Sequence, residues 1–332
     1  MNDKIRFALV GAGGIAQSYG QAFLGHADAA LVAVADVRLD AAQKLADLAG
    51  AKAFENPLSL LDGPDFDAVI LSTPPNTHEK LATLFLNAGK DVLCEKPFTI
   101  GAESAHRMVN TARKASRVLT MASKFRYVPD VIKAKSLIED GLLGEVVLFE
   151  NAFTSRVDMR NRWNSDPAVS GGGVLIDNGA HSLDLTRYFL GPLAEVHAVE
   201  GRRFQPIEVE DTVQVFVHTV AGVLGTIDLS WSINKELESY IQIHGLNGTL
   251  RLGWKKSMYK LSGASDWTVF GHGYDKVTAF RDNLGNFARH LQGREPLVIG
   301  HDDAVANVAA IDAAYDSLNR PEWTRLADTV LA

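Results

Sequence analysis

The sequence is most telling at first for what it has little of. One cysteine, Cys94, stands in 332 residues, which excludes an internal disulfide and fits a reducing compartment. No apolar run approaches the length of about eighteen residues that a membrane-spanning helix needs. Basic residues are not in excess: 33 Lys and Arg face 40 Asp and Glu, for a net charge of -7. That balance argues against nucleic acid or an anionic membrane as the main partner, since both select a basic face. The start, MNDKIRFALVGAGG, enters a strand pattern without a signal-type charged and apolar prelude, so the expected location is cytoplasmic. No internal repeat or low-complexity segment occurs. No His, Cys or Asp spacing resembles a zinc or calcium site, so no metal is expected.

What is present is an ordinary globular composition, 46% apolar and 22% charged, in a chain long enough for two domains. In the first third, short apolar runs of buried-strand type lie at Ile5–Val10, Leu31–Ala35, Ala68–Leu71, Val92–Cys94 and Val118–Met121. Helical stretches separate them at Ile15–Leu24, Ala41–Ala49, His78–Ala88 and Ala102–Ala115. This alternation predicts a doubly wound parallel sheet of Rossmann type. After about residue 123 the pattern changes. Ile227, Leu229, Trp231 and Ile233 alternate with polar residues, Val213, Val215 and Val217 repeat the every-second-residue pattern, and Asn247-Gly248 signals a hairpin. The second part is therefore expected to be an α+β domain with a large, mostly antiparallel open sheet. The division is placed at residues 1–122 and 123–332. Ala304–Leu318 reads as a closing helix capped by Asp302 or Asp303.

The first strand runs into Gly11-Ala-Gly-Gly-Ile-Ala16, a GxGxxA pattern opening a helix. Gly11 suits the tight turn, and Gly13 with Gly14 and Ile15 lets backbone approach a pyrophosphate at the helix N-terminus. The small Ala16 permits close helix–strand packing. Asp36 ends the second strand twenty residues past Ala16 and is the expected acceptor for the adenosine ribose hydroxyls. That choice favours NAD. Arg38 could instead hold a 2′-phosphate, leaving NADP as the alternative. A glycine-rich turn in a non-nucleotide domain is the competing reading of the whole pattern. Ser72-Thr-Pro-Pro-Asn-Thr-His78 and Cys94-Glu-Lys-Pro97 also follow strands, where open α/β sheets bind ligands. Asn76 can cap the helix after it. Lys96 is pinned between Glu95 and Pro97, and a salt bridge to Glu95 is its other reading. Cys94 reads as a small buried hydrophobe.

The most informative stretch is GGGVLIDNGAHSLDL, Gly171 to Leu185. Asp177, His181 and Asp184 stand at i, i+4 and i+7, so they share one helical face in an otherwise apolar run. The alternatives are a buried polar network and a proton-transfer site. Either carboxylate is one turn from the imidazole, so Asp177 or Asp184 could orient it. Arg156, Arg160, Arg162, Trp163 and Asn164 form either a substrate loop or a solvated connection, and Tyr274 lies among glycines as a candidate pocket wall.

GAGGIA, STPPNTH, CEKP and GGGVLIDNGAHSLDL, in this order and spacing, resemble the Gfo/Idh/MocA family of inositol, sugar and polyol dehydrogenases. The resemblance spans almost the whole chain. It implies a site at the domain junction using Lys96, Asp177 and His181. It further implies that Ser72, Thr73, Pro74, Asn76, His78 and Glu95 line the nicotinamide side, while Arg126 and Trp163 approach nicotinamide or substrate. The open sheet then builds a homodimer or homotetramer. Oxidising a secondary alcohol removes a proton from oxygen as hydride leaves carbon. An imidazole ordinarily titrates near neutrality, which suits His181 for that proton. Asp177 would orient the ring or hold a hydroxyl, and Lys96 would stabilise alkoxide charge. Gly171–Gly173 would let the helix start close to the cofactor. Two other activities fit the resemblance: an NAD-dependent glycosidase using transient oxidation, and a cofactor-binding regulator without turnover.

Overall fold

Among the first apolar runs, β-branched and small residues pair as parallel strands buried on both faces. In this computed structural model, which describes residues 4–326, the order is β1 (Ile5–Val10), α1 (Gly14–Phe23), β2 (Ala29–Ala35), α2 (Leu39–Ala49), β3 (Lys52–Phe54), β4 (Ala68–Leu71), α3 (His78–Asn87), β5 (Asp91–Glu95), α4 (Ala102–Ala115) and β6 (Leu119–Ala122). They form a six-stranded parallel sheet ordered β3-β2-β1-β4-β5-β6. The order reverses between β1 and β4, the switch point beyond which doubly wound sheets bind ligands. The short β3 has no apolar run to mark it in the sequence.

The rest comprises α5 (Pro129–Glu139), β7 (Val146–Thr154), α6 (Pro167–Ser170), α7 (Val174–Leu190), β8 (Leu193–Glu200), β9 (Thr212–Thr219), β10 (Leu224–Ser230), β11 (Ser239–Gly245), β12 (Gly248–Gly253), β13 (Ser257–Leu261), β14 (Thr268–Gly271), α8 (Lys276–Leu291), α9 (His301–Leu318) and β15 (Thr324–Arg325). Nine strands make a second sheet ordered β14-β13-β12-β11-β7-β10-β9-β8-β15. Only the β7–β10 pair among them is parallel. α7 packs on β7, β9 and β10, over the buried Phe149, Val215, Val217, Ile227 and Leu229. Register places Leu148, Phe216 and Leu224 on the opposite face, beside Glu150, Gln214 and Asp228.

The chain divides into two compact units, and the division is not the expected one. Among the described residues, the first holds Lys4 to Lys124 and Lys276–Val305; the second holds Phe125–Asp275 and Ala306 to Leu326. α8 was expected in the second domain, but its Phe280, Leu284, Phe287 and Ala288 join the core that contains Phe7, Tyr19 and Phe23. Phe280 lies edge-on to Tyr19 at 4.6 Å between ring centroids, and Phe287 is 6.1 Å from Phe7. Sequence order cannot reveal that return.

Two local expectations are corrected. The alternation from Ile227 was expected to run to Ile233, but β10 ends at Ser230, whose Oγ accepts the N–H groups of Ser232 and Ile233 and turns the chain. Trp231 is therefore buried while Ile233 is exposed. The closing helix starts at His301, so Asp302 and Asp303 lie in its first turn and not at the cap. Asp303 Oδ2 instead reaches back to the Gly300 N–H, 3.1 Å away.

Candidate functional site

In the first unit, the chemistry gathers at the carboxyl ends of β1, β2, β4 and β5. Gly11 has φ +94°, and a Cβ there would stand 2.7 Å from the Ser72 carbonyl oxygen, so only glycine lets the two loops meet. Ser72 Oγ donates back to the Val10 and Gly11 carbonyls at 3.2 and 2.8 Å. Gly13 and Gly14 differ from Gly11: a Cβ on either would meet nothing within 4 Å. The start of α1 has no side-chain cap. An open, uncapped helix N-terminus beside glycine is a cradle for an anionic group. Ala16 is fully buried, and Ile15 packs beside it against the same core.

Asp36 holds this cradle in shape. Its Oδ2 accepts the Ala12 N–H at 2.6 Å, and its Oδ1 accepts the Arg38 N–H at 2.9 Å. The Arg38 guanidinium lies 3.7 Å from the same carboxylate and is largely exposed. The Ser72–His78 and Glu95–Phe98 loops are tied by His78, which was expected among the cofactor contacts. Its ring is fully buried, with Nε2 2.8 Å from the Thr73 carbonyl and Nδ1 3.0 Å from that of Pro97. Each nitrogen thus faces a carbonyl of a different loop, Ser72–His78 or Glu95–Phe98, and the neutral ring has one N–H to donate between them. Burial holds His78 below the ordinary histidine range. Thr73 Oγ1 lies 2.6 Å from Thr77 Oγ1, which donates to the Pro74 carbonyl. A 3₁₀ turn, Pro75–Thr77, contains Asn76, so the N-cap of α3 is Thr77 and not the expected Asn76.

Glu95 ends β5 in the interior. Its Oε1 accepts from the Tyr19 hydroxyl at 2.9 Å and its Oε2 from the Lys96 N–H at 3.1 Å. Burial pushes the Glu95 carboxyl up, while Lys124 and Lys96 pull it back. Cys94 is fully buried and its thiol is pushed well up, in keeping with an inert packing role.

In the second unit, α7 carries Asp177, His181 and Asp184. His181 is 6% exposed and sits edge-on to Phe125 at 4.9 Å, with Phe153 at 6.4 Å. Phe125 in turn stacks on Tyr274 and Phe153, both at 5.0 Å, and Tyr240 and Trp254 complete the aromatic wall. Tyr274, expected as a candidate pocket wall, belongs to this aromatic cluster. Asp130 at the start of α5 holds its loop, accepting the His272 and Gly273 N–H groups at 3.2 and 2.8 Å.

Asp184 and Arg126 form a buried pair. The guanidinium donates from Nε at 3.0 Å and from Nη2 at 2.7 Å, with the side chains 0% and 4% exposed. Arg126 also lies 5.2 Å from the centroid of the Tyr188 ring. Arg126 was expected to approach nicotinamide or substrate; within its unit its guanidinium is paired with Asp184, since a buried guanidinium needs a counter-charge. Both oxygens of Asp184 accept from this guanidinium. Trp163 is 43% exposed on a 3₁₀ turn. Arg156 and Arg160 line an open groove of about 360 Å³ with Phe204, Gln205 and Trp231. Arg160 is paired with Asp158.

The three glycines before α7 were expected to face a cofactor. In this unit two of them face protein: a Cβ on Gly172 would stand 2.0 Å from the Tyr315 hydroxyl, and one on Gly173 2.0 Å from the Glu210 carbonyl. Glu210 and Tyr315 escaped the sequence reading. The only signal was an adjacent pair of carboxylates, Glu210-Asp211, at the head of the alternating β9 valines.

Two family models match: an oxidoreductase family with an NAD-binding Rossmann fold over residues 5–123, and the GFO/IDH/MocA C-terminal domain over residues 131–251. The chain belongs to the Gfo/Idh/MocA family of oxidoreductases. It is 30% identical over 266 residues to the D-glucoside 3-dehydrogenase of Escherichia coli K12, covering 79% of this chain and 72% of that one. The inositol 2-dehydrogenase of Rhizobium meliloti is 26% identical, over 95% of this chain and 97% of its own. Among solved structures, a levoglucosan dehydrogenase complexed with NADH and levoglucosan superposes with a TM-score of 0.90 at 20% identity, over 98% of this chain and 100% of that one. That likeness extends the Gfo/Idh/MocA fold to both sheets. The uncapped glycine start of α1 and the carboxylate of Asp36 fit NAD, the family's cofactor: the helix N-terminus would hold the pyrophosphate and Asp36 the ribose diol. Among the described residues, no group of three His, Cys, Asp or Glu side chains could hold a metal, and no helix is long and apolar enough to cross a membrane.

Proposed function

We propose that this Gfo/Idh/MocA oxidoreductase moves a hydride between NAD and a secondary alcohol or ketone of a sugar, inositol or related polyol, with Lys96, Asp177 and His181 as its reacting groups. The observation that carries the reading is the setting of His181: an imidazole on α7, 6% exposed, against a wall of Phe125, Phe153 and Tyr274. Such a wall suits the apolar C–H face of a sugar ring while keeping bulk water away from the proton. Relatives that oxidise inositol and glucosides by name support the substrate class.

NAD, when bound, supplies the hydride acceptor. His181 takes the hydroxyl proton as general base. The Lys96 ammonium donates to the same oxygen and stabilises the negative charge that develops there. Asp177 accepts a neighbouring hydroxyl or holds the His181 ring. Arg156, Trp163 and Tyr274 remain substrate-contact candidates, whereas Arg126 acts through its pair with Asp184. Asp36 selects NAD over NADP. The protein works in the cytoplasm as a homodimer or homotetramer, and the Leu148, Phe216 and Leu224 face of the nine-stranded sheet is the surface buried between copies.

The test is a panel of myo-inositol, D-glucose, methyl glucosides and levoglucosan with NAD and NADP, followed by formation of reduced nicotinamide. Net NADH with one of them supports the reading; glycoside cleavage without net NADH would transfer it to the glycosidase alternative. In His181→Ala, turnover should fall by about 10²–10⁴-fold, the usual worth of a general base, with NADH affinity kept. The alkaline-rising limb of the rate should vanish with it. An unchanged limb would make Lys96 the base.

A further inference from the structure

The first amides of a helix have no partner within it, and α7 begins with residues that cannot cap themselves. Gly171, Gly172 and Gly173 have no side chains, yet the N–H groups at the start of α7 are all accounted for. Gly173 N–H donates to Glu210 Oε1 at 2.9 Å and Leu175 N–H to the same oxygen at 3.1 Å. Val174 N–H donates to the Glu210 main-chain carbonyl at 2.9 Å, and Ile176 N–H to the Tyr315 hydroxyl at 3.2 Å. Asp177 N–H then makes the first bond inside the helix, to the Gly173 carbonyl at 3.1 Å. Tyr315 donates its own proton to Glu210 Oε1 at 2.7 Å. Burial beside Glu210 pushes the Tyr315 hydroxyl up, so it stays a donor.

A local cap ties a helix only to its own preceding residues. This one ties α7 to the head of β9 and to α9, and the glycines let the Glu210 backbone and the Tyr315 side chain close in. Asp177 stands in the first turn and His181 one turn further on, so any slip or tilt at Glu210 is delivered to both. The neighbouring Asp211 anchors another segment: its Oδ2 accepts from the Phe204 and Gln205 N–H groups and from Ser232 Oγ, each at 2.8 Å. Gln205 in turn holds Val157 and Met159 of the groove segment.

We infer that Glu210, backed by Tyr315, is a positioning residue: its carboxylate sets the axial placement of α7 and so holds Asp177 and His181 in working geometry. The inference rests on the reading of α7 as the helix that carries the reacting groups.

Three variants test it, using the panel member oxidised fastest. Glu210→Asp keeps the charge but withdraws it by one methylene. Glu210→Gln keeps an acceptor of the same reach, and Tyr315→Phe removes the backing hydroxyl. NADH titration by fluorescence counts competent sites, so kcat can be stated per competent site and separated from loss of folded protein. Glu210→Asp should bind NADH with wild-type stoichiometry and affinity while kcat falls by about 10²-fold, as expected for groups displaced by an ångström. KM should change far less than kcat. Glu210→Gln should recover most of the rate, and Tyr315→Phe should lie between the two. A wild-type kcat in Glu210→Asp, with only the melting temperature lowered, would overturn the inference and leave a cap that serves the fold alone. If Glu210→Asp does not fold, Tyr315→Phe decides by the same kcat criterion. His181→Ala run alongside separates the two readings. If it silences turnover while Glu210→Asp stays at wild-type rate, only the positioning role fails. If His181→Ala itself retains turnover, the reading of α7 fails and the positioning role fails with it.

Discussion

Two helices in this protein begin behind glycine clusters, and they use the glycines in opposite ways. At α1, Gly13 and Gly14 adjoin open space and the helix start has no side-chain cap. At α7, Gly172 and Gly173 are pressed against Tyr315 and Glu210, which take up the N–H groups. In the first case glycine leaves room for a ligand's phosphates; in the second it lets the protein's own backbone close in. A glycine-rich helix start is therefore one local signal with two meanings. What fills the space in front of it tells them apart.

The largest effect that can break this comparison is at Gly173. Its Cβ would meet backbone that cannot rotate away, so Gly173→Ala should cost about 3 kcal/mol or more, the upper range of overpacking. Urea denaturation followed by far-UV dichroism reads it, and a variant as stable as wild type would refute the docked start of α7. Gly13→Ala should behave in the contrary way. Its stability should move by no more than about 1 kcal/mol, the scale of a changed N-cap. Its NADH affinity should drop about tenfold, because the methyl group enters the cradle at a cost of about 1–3 kcal/mol. Unchanged affinity would mean that α1 does not receive the pyrophosphate.

Asp36→Ala should narrow the preference for NAD over NADP by several-fold, and it should also weaken NAD itself, since Asp36 supports the Ala12 N–H. Tighter binding of NADP than NAD by the unaltered protein would give the choice to Arg38 instead. The smallest effect is on pH dependence. His26, His78 and His301, all in the first unit, are held below the ordinary value of 6.5 by burial. Below that pH the unfolded chain takes up protons that the folded one refuses. Stability is therefore full above about 6.5 and is lost as pH falls, by at most about 1.4 kcal/mol per pH unit for each histidine. Glu95, pushed up by burial, works against this at the acid end. Calorimetry from pH 7.5 to 5.5 on wild type and His78→Gln reads the contribution of His78 as a shallower slope in the variant.

Much of the fold was legible because its cause is local. Periodicity located the buried strands β1 and β4 and the helix α4 to the residue, and the GxGxxA spacing marked the open helix start at α1. The three polar residues on α7 were visible from i, i+4, i+7 spacing alone. Which of the two carboxylates pairs with a distant arginine was not, for Asp177 and Asp184 look alike in the sequence. Only the bidentate approach of Arg126, 58 positions away, commits Asp184 to a buried pair. His78 likewise reads as a loop histidine and proves to be the latch between two loops, since its carbonyl partners reside on different strand ends.

By itself the sequence determined the two sheets, the family and the residue types that can move a proton, because these follow from period, spacing and side-chain chemistry within a few turns or strands. Tertiary structure alone decided which unit claims α8, which carboxylate pairs with Arg126, and why Gly172 and Gly173 precede α7. Each of those depends on what stands opposite, and the residues that stand opposite come from elsewhere in the chain: Tyr19 and Phe7 for α8, Arg126 for Asp184, Glu210 and Tyr315 for the glycines. Burial and hydrogen-bond geometry select among locally equivalent choices, and neither exists until the distant segments have met.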